Sequence, residues 1–154
     1  MNIIGIDPGL NCTGVTWKQG DGVTVNSVRP RAKCLREKAR EIGRIVPSIC
    51  WDLLVIEIPQ VYQGSKQKGD PNDLINLAIL VGGIISVITT YNVALVKPST
   101  WKAQVSKKIH HKRIMKRYPE LDGQKFSLDA LDSLGIYSYG TDVVAAQLAA
   151  RRLR

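Results

Sequence analysis

Two stretches of the chain are apolar at consecutive positions, Met1-Asn-Ile-Ile-Gly-Ile-Asp7 and Leu53-Leu-Val-Ile-Glu-Ile-Pro59. Runs this short and this rich in Ile and Val fit strands covered on both faces, as in the centre of an α/β sheet. Ile3–Asp7 leads into two more strand-like stretches, Gly14–Lys18 and Val23–Val28, separated by the glycine-bearing turns Pro8–Asn11 and Gln19–Gly22, which predicts an antiparallel meander. From Cys34 to Ile49 the period becomes helical, with Leu35, Ala39, Ile42, Ile45 and Val46 opposite a charged face of Arg36, Glu37, Lys38, Arg40, Glu41 and Arg44. Asp70-Pro71 with Asp73 reads as a helix start, Asp70 capping a helix from Pro71 to about Thr90 whose second half is nearly all apolar. Ala94–Val96 predicts a fifth strand, ended by Lys97-Pro98. A basic helix over about Lys107–Tyr118 stops at Pro119, and a helical region bearing Asp129 and Asp132 follows; Gly140 is expected to break it before a last helix from Asp142 to Arg154.

Acids stand where this pattern disfavours them. Asp7 closes the first apolar run and Glu57 interrupts the second, although burying an unpaired carboxylate costs several kcal/mol. Asp129 and Asp132 are three apart on a helix, so they project from nearly one face and repel. Structural roles compete for most of them. Asp7 before Pro8-Gly9 suits a turn, Asp129 suits an N-cap, and Asp132 suits a first-turn acid. Glu57 has no such alternative in mid-strand. A divalent cation, or two about 4 Å apart, would turn the four acids into a ligand set, and oxygen-only ligands favour Mg²⁺ or Mn²⁺ over zinc.

Charge narrows the partner. The net charge is +9, from 22 basic and 13 acidic residues. Residues 97–118 hold Lys97, Lys102, Lys107, Lys108, Lys112, Arg113, Lys116 and Arg117 without one acid; these eight leave 14 basic residues against 13 acidic elsewhere. A concentrated single-sign segment suits a polyanion, because neutralising phosphates releases counterions. The polar loop Gln60–Gly69 adds Tyr62, Lys66 and Lys68. His110 and His111 read as surface or phosphate-contacting residues, since zinc spacing is absent.

Length and composition exclude other classes. At 154 residues the chain fits one domain, 1–154, too short for the two lobes of an actin-like ATPase, so no nucleotide cofactor is expected. The longest apolar run, Leu77–Ile88, is too short for a bilayer, and no secretory signal opens the sequence. Cys12, Cys34 and Cys50 show no metal or CxxC spacing and read as reduced packing thiols, which suggests a cytoplasmic protein, in a host cytoplasm if the chain is viral.

The motifs carry a family resemblance. Ile4-Gly-Ile-Asp-Pro-Gly-Leu-Asn-Cys-Thr-Gly14, Val55-Ile-Glu-Ile-Pro59 and Asp129-Ala-Leu-Asp-Ser-Leu-Gly-Ile136 resemble, in order, the three acidic motifs of RuvC-type Holliday junction resolvases. The block from Gln60 to Leu74 is similar to that of compact phage members. The order of elements likewise matches the ribonuclease H-like fold, an α/β architecture with a mixed five-stranded sheet and helices on both faces. The resemblance implies a homodimeric endonuclease that nicks four-way DNA junctions symmetrically with two Mg²⁺ or Mn²⁺ ions held by Asp7, Glu57, Asp129 and Asp132. It also implies a basic catalytic residue, at Lys102 or at Lys107 or Lys108, and an aromatic, Tyr62, stacked on an unpaired base at the crossover; Tyr62 is equally read as an ordinary, partly packed tyrosine. Lys66, Lys68, Lys97, Lys112, Arg113 and Lys116 are expected to contact DNA. The glycine-rich segment usual between the basic positions is missing here. An alternative frame aligns Asp142-Val-Val-Ala145 with the last motif, which would put Ala145 at an essential Asp position and leave the chain inactive. Rival functions are a flap or RNA–DNA hybrid nuclease on the same fold, and a junction-binding protein that does not cut.

Overall fold

A computed structural model describes residues 1–61, 70–103 and 105–152. Tyr62, Lys66 and Lys68 lie outside the described residues. Strands β1 (Ile3–Asp7), β2 (Thr13–Gln19) and β3 (Gly22–Val28) form the expected meander, and α1 spans Leu35–Ile45. Then come β4 (Leu53–Glu57), α2 (Pro71–Val87), β5 (Val93–Val96), the short α3 (Pro98–Lys102), α4 (Lys107–Arg117), α5 (Leu128–Tyr139) and α6 (Ala145–Arg152). The sheet order is β3-β2-β1-β4-β5. β1 pairs antiparallel with β2 but parallel with β4, and β4 parallel with β5, so the sheet is mixed as predicted.

Strand parity divides the core. Ile4, Ile6, Leu54 and Ile56 face α1 and α2, where Ala39, Ile42, Leu80, Val81 and Ile84 cover them. Ile3, Leu53, Val55 and Val96 face the other way, against Trp101 of α3, Ile114 of α4 and Leu134, Ile136 and Tyr137 of α5. Each fully buried Leu or Ile contributes about 1.5–3 kcal/mol, so these two layers hold the sheet in place. Asp7 and Glu57 share the parity of Ile3 and Val55 and therefore belong to the α5 side.

Helix starts follow their caps. Asp70 accepts the Asn72 amide at 2.8 Å with Pro71 in the first turn, as the sequence predicts. The cap of α5 is Ser127, which accepts the Ala130 amide at 3.2 Å, so Asp129 is a first-turn residue and not the N-cap. The break expected at Gly140 is absent. Gly140 is right-handed helical (φ −59°, ψ −44°), and the backbone continues through a wider π turn, Gly140–Val144, into α6. A Cβ at Gly140 would lie 2.6 Å from Val55 Cγ2, so the glycine admits β4 and does not stop the helix. No described helix is long and apolar enough to cross a membrane.

Candidate active site

Asp7 and Glu57 end neighbouring parallel strands. Ile6 pairs with Ile56, which sets the two acids side by side at one edge of the sheet. Desolvation, then repulsion from Glu57 and Asp132, pushes the Asp7 carboxyl well above its ordinary value, against a smaller opposing effect of Lys107. Burial also raises Glu57, though less, because the Lys102 charge and a hydrogen bond from Trp101 oppose it. That bond runs from indole Nε1–H to Glu57 Oε2 at 2.6 Å. Among the described residues no hydrogen bond or ion pair reaches the Asp7 side chain.

Two glycines let α5 deliver the other acids. A Cβ on Gly5 would sit 2.5 Å from the Tyr137 backbone nitrogen, and one on Gly14 would sit 1.9 Å from the Asp129 carbonyl oxygen. Neither backbone neighbour can move aside as a flexible side chain would, so close docking of α5 on β1 and β2 requires glycine at both positions. A buried Thr16–Ser133 hydroxyl bond of 2.8 Å fixes the helix over β2. Asp132, only 2% exposed, then points among cations. Its Oδ2 accepts from Lys107 Nζ at 2.5 Å and has Lys102 Nζ at 3.9 Å, and its Oδ1 meets His111 Nε2 at 2.8 Å. Burial alone would raise Asp132, but the hydrogen bonds from Lys107 and His111, with the Lys102 charge, outweigh it and hold the carboxyl below the ordinary value. Asp129 lies farther out, beside Cys12, and is the weakest of the acids acting on Asp7.

The structure therefore groups Asp7, Glu57, Asp132, Lys102 and Lys107, with Asp129 at the margin. Asp142, the acid of the alternative frame, pairs instead with Arg117 at the surface. Lys97, Lys108, Lys112, Arg113 and Lys116 are exposed. Two members of the site were missed from the sequence. His111, read there as a surface or phosphate-contacting residue, is 8% exposed and bonded to Asp132; His110 is half-buried, edge-on to Trp101 at 5.0 Å between ring centroids. Trp101 was given no role, yet it holds Glu57 while its ring underlies Lys102 Nζ at 4.5 Å from the centroid. One signal was available for His111: it stands four residues after Lys107, so both share a face of α4.

The donor chemistry suits a hard divalent cation. Asp7, Glu57 and Asp132 offer oxygen only, and the repulsion that raises Asp7 is what a cation between them would relieve. Among the described residues no three His, Cys, Asp or Glu side chains stand close enough together, as placed, to hold a metal ion, and the Lys107 ammonium supplies positive charge at Asp132 Oδ2. Asp7, Glu57 and Asp132 are the residues that would hold such an ion.

No protein-family model matches this sequence, and no curated protein does. Solved structures do. The Thermus thermophilus RuvC structure aligns with a TM-score of 0.68 at 13% identity, over 96% of this chain and 97% of that one. The same protein in complex with Holliday junction substrate aligns at 0.64 and 12%, over 95% and 96%. Fowlpox virus resolvase in complex with its Holliday junction DNA aligns at 0.54 and 19%, over 92% and 99%. The chain has the RuvC fold. Within the RuvC fold, as a ribonuclease H-like architecture, the mixed sheet and its flanking helices match the sequence-based expectation nearly end to end.

Proposed function

We propose that this protein is a metal-dependent endonuclease of branched DNA, with the four-way junction as its substrate. The observation that carries the reading is the meeting of Asp7, Glu57 and Asp132, from three elements, at one sheet edge beside Lys102 and Lys107. The fold supports it, since two of the structures that share it are complexes with Holliday junction DNA.

In this reading Asp7 and Glu57 hold the cations from the strand ends, Asp132 completes the set, and Asp129 contributes from the first turn of α5. Two Mg²⁺ or Mn²⁺ ions would supply activation of the attacking water and stabilisation of the departing 3′ oxygen. Lys102 and Lys107 offset the negative charge that builds on the phosphate, a role for preorganised cations in a partly desolvated site. His111 and Trp101 fix the rotamers of Asp132 and Glu57, so each acid presents its remaining lone pairs in one direction. Tyr62 stacks on a base at the crossover, and the exposed lysines of α4 hold phosphates.

Paired symmetric cuts need two such centres. A junction has approximate two-fold symmetry, which a C₂ homodimer matches. Exposed Ile75 and Ile79 on α2, with Ala78, Gly82 and Ser86 beside them, provide an apolar, close-approach surface suited to a second copy. The deciding experiment incubates the protein with a mobile four-way junction, a flap and an RNA–DNA hybrid, with and without Mg²⁺, and reads products at nucleotide resolution. Symmetric junction nicks that require Mg²⁺ support the proposal. Preferential cutting of the flap or hybrid would transfer the site to a different substrate, and junction binding without cutting in any divalent ion would make this a non-catalytic binder.

A further inference from the structure

The basic residues outside 97–118 are unevenly placed. Residues 29–44 contain Arg29, Arg31, Lys33, Arg36, Lys38, Arg40 and Arg44 against Glu37 and Glu41 only. Both acids are already engaged, Glu37 by Arg40 and Glu41 by the Arg31 backbone amide. Among the described residues Arg29, Arg31, Lys33 and Arg36 form no ion pair, and all four are exposed.

Strand register locates this segment. Asp7 pairs with Gly14, Gly14 with Ser27, and on the other side Glu57 pairs with Val96, so one row crosses the sheet as Ser27, Gly14, Asp7, Glu57, Val96. Just past its β5 end come Lys97, Lys102 and α4. Just past its β3 end come Arg29, Arg31 and Lys33, at the same edge as the acids. The segment then turns into α1, where Lys38 Nζ donates to the Leu10 carbonyl at 2.6 Å and ties the helix to the loop that leaves Asp7.

The placement works against stability. Lys33 and Arg36 bracket the N-terminus of α1, already the positive end of the helix dipole; the first turn's acid, Glu37, is paired with Arg40, and the N-cap Cys34 makes no side-chain hydrogen bond there. Positive charge gathered at a positive helix end is relieved by an anion. Five strands at about 4.8 Å spacing separate β3 from β5 by roughly 19 Å, about five to six nucleotide steps at 3.4 Å along one strand of a duplex.

We propose that the Arg29–Lys38 segment is a second phosphate-holding arm, gripping a nucleic-acid backbone on the β3 side of the acids while α4 and its neighbours grip it on the β5 side. The inference rests on the branched-DNA reading above and adds a surface and a direction to it. The scissile phosphate would then be held from both flanks over Asp7 and Glu57.

The test compares the parent with Lys33→Ala/Arg36→Ala, with the charge-conserving Lys33→Arg/Arg36→Lys, and with Lys112→Ala/Arg113→Ala on α4. Binding to a four-way junction is measured across salt concentrations in Ca²⁺, and hydroxyl-radical protection of the DNA is mapped. Removing both charges from the arm should weaken binding several-fold and flatten the slope of log K against log salt by about two. Protection should disappear on one side of the crossover, opposite the side lost in the α4 variant, while the charge-conserving variant keeps it. No variant should lower the parent's unfolding midpoint, since the altered residues are exposed and the two arm charges stand at a positive helix end. Parent-like affinity, slope and footprint in Lys33→Ala/Arg36→Ala, with the α4 variant weakened, would overturn the arm and leave the branched-DNA reading standing. Indifference of both variants would remove that reading and the arm with it.

Discussion

Asp132 is the most heavily held acid in the site, whereas Asp7 has no hydrogen-bond or ion-pair partner among the described residues, and the two respond differently to substitution. Asp7→Asn and Asp132→Asn should each lower junction cutting by well over about a hundredfold, beyond the 10–100-fold expected for supporting groups, with junction affinity retained because phosphate contacts supply most of it. Quantitative cleavage and binding on one junction check both. Stability separates them further. In metal-free protein the folded state binds the Asp7 proton more tightly than the unfolded chain does, so stability falls as pH rises through the raised folded value, and no penalty remains below the ordinary value of 3.8. Asp7→Asn should therefore raise the metal-free unfolding midpoint at neutral pH and change nothing at pH 3. Added Mg²⁺ should stabilise the parent and not the variant, which a melting series over pH and metal will show. His111→Ala leaves Asp132 with one fewer partner; it should raise the Mg²⁺ concentration needed for half-maximal cutting about 10-fold, and an unchanged requirement would assign His111 to packing alone. His111 was hard to read from the sequence, because a histidine on a basic helix looks like part of a solvated face until α4 docks on α5 and closes it.

At the scale of elements, what was legible depended on whether local signals agreed. β1 and β4 announced themselves as Ile/Val runs, and α2 through the Asp70-Pro71 start, because strand and cap chemistry are decided within a few residues. Gly140 misled because its use is tertiary, a gap for Val55 and not a helix stop. Glycine at 5 and 14 was visible only as part of a motif, whereas its reason is the backbone of α5 pressed against β1 and β2. Gly14→Ala should accordingly lower stability by about 1–3 kcal/mol and cutting along with it, since overpacking there displaces the helix that carries Asp129 and Asp132. Alanine at Gly22, where a Cβ meets nothing within 4 Å, is the matched control for a melting and cleavage comparison.

Across the whole molecule, the candidate centre joins the first strand to the fifth helix. Asp7 lies more than a hundred residues before Asp132, and each depends on the other's element for its position. A chain still emerging from the ribosome carries Asp7 and Glu57 on a sheet whose second layer has not been synthesised, with Ile3, Leu53 and Val55 bare on that face. Such a nascent protein has no way to bring the acids of the candidate centre together, and it leaves an apolar sheet face uncovered. On the proposed function, any cutting is in this way withheld by geometry until translation has passed α5.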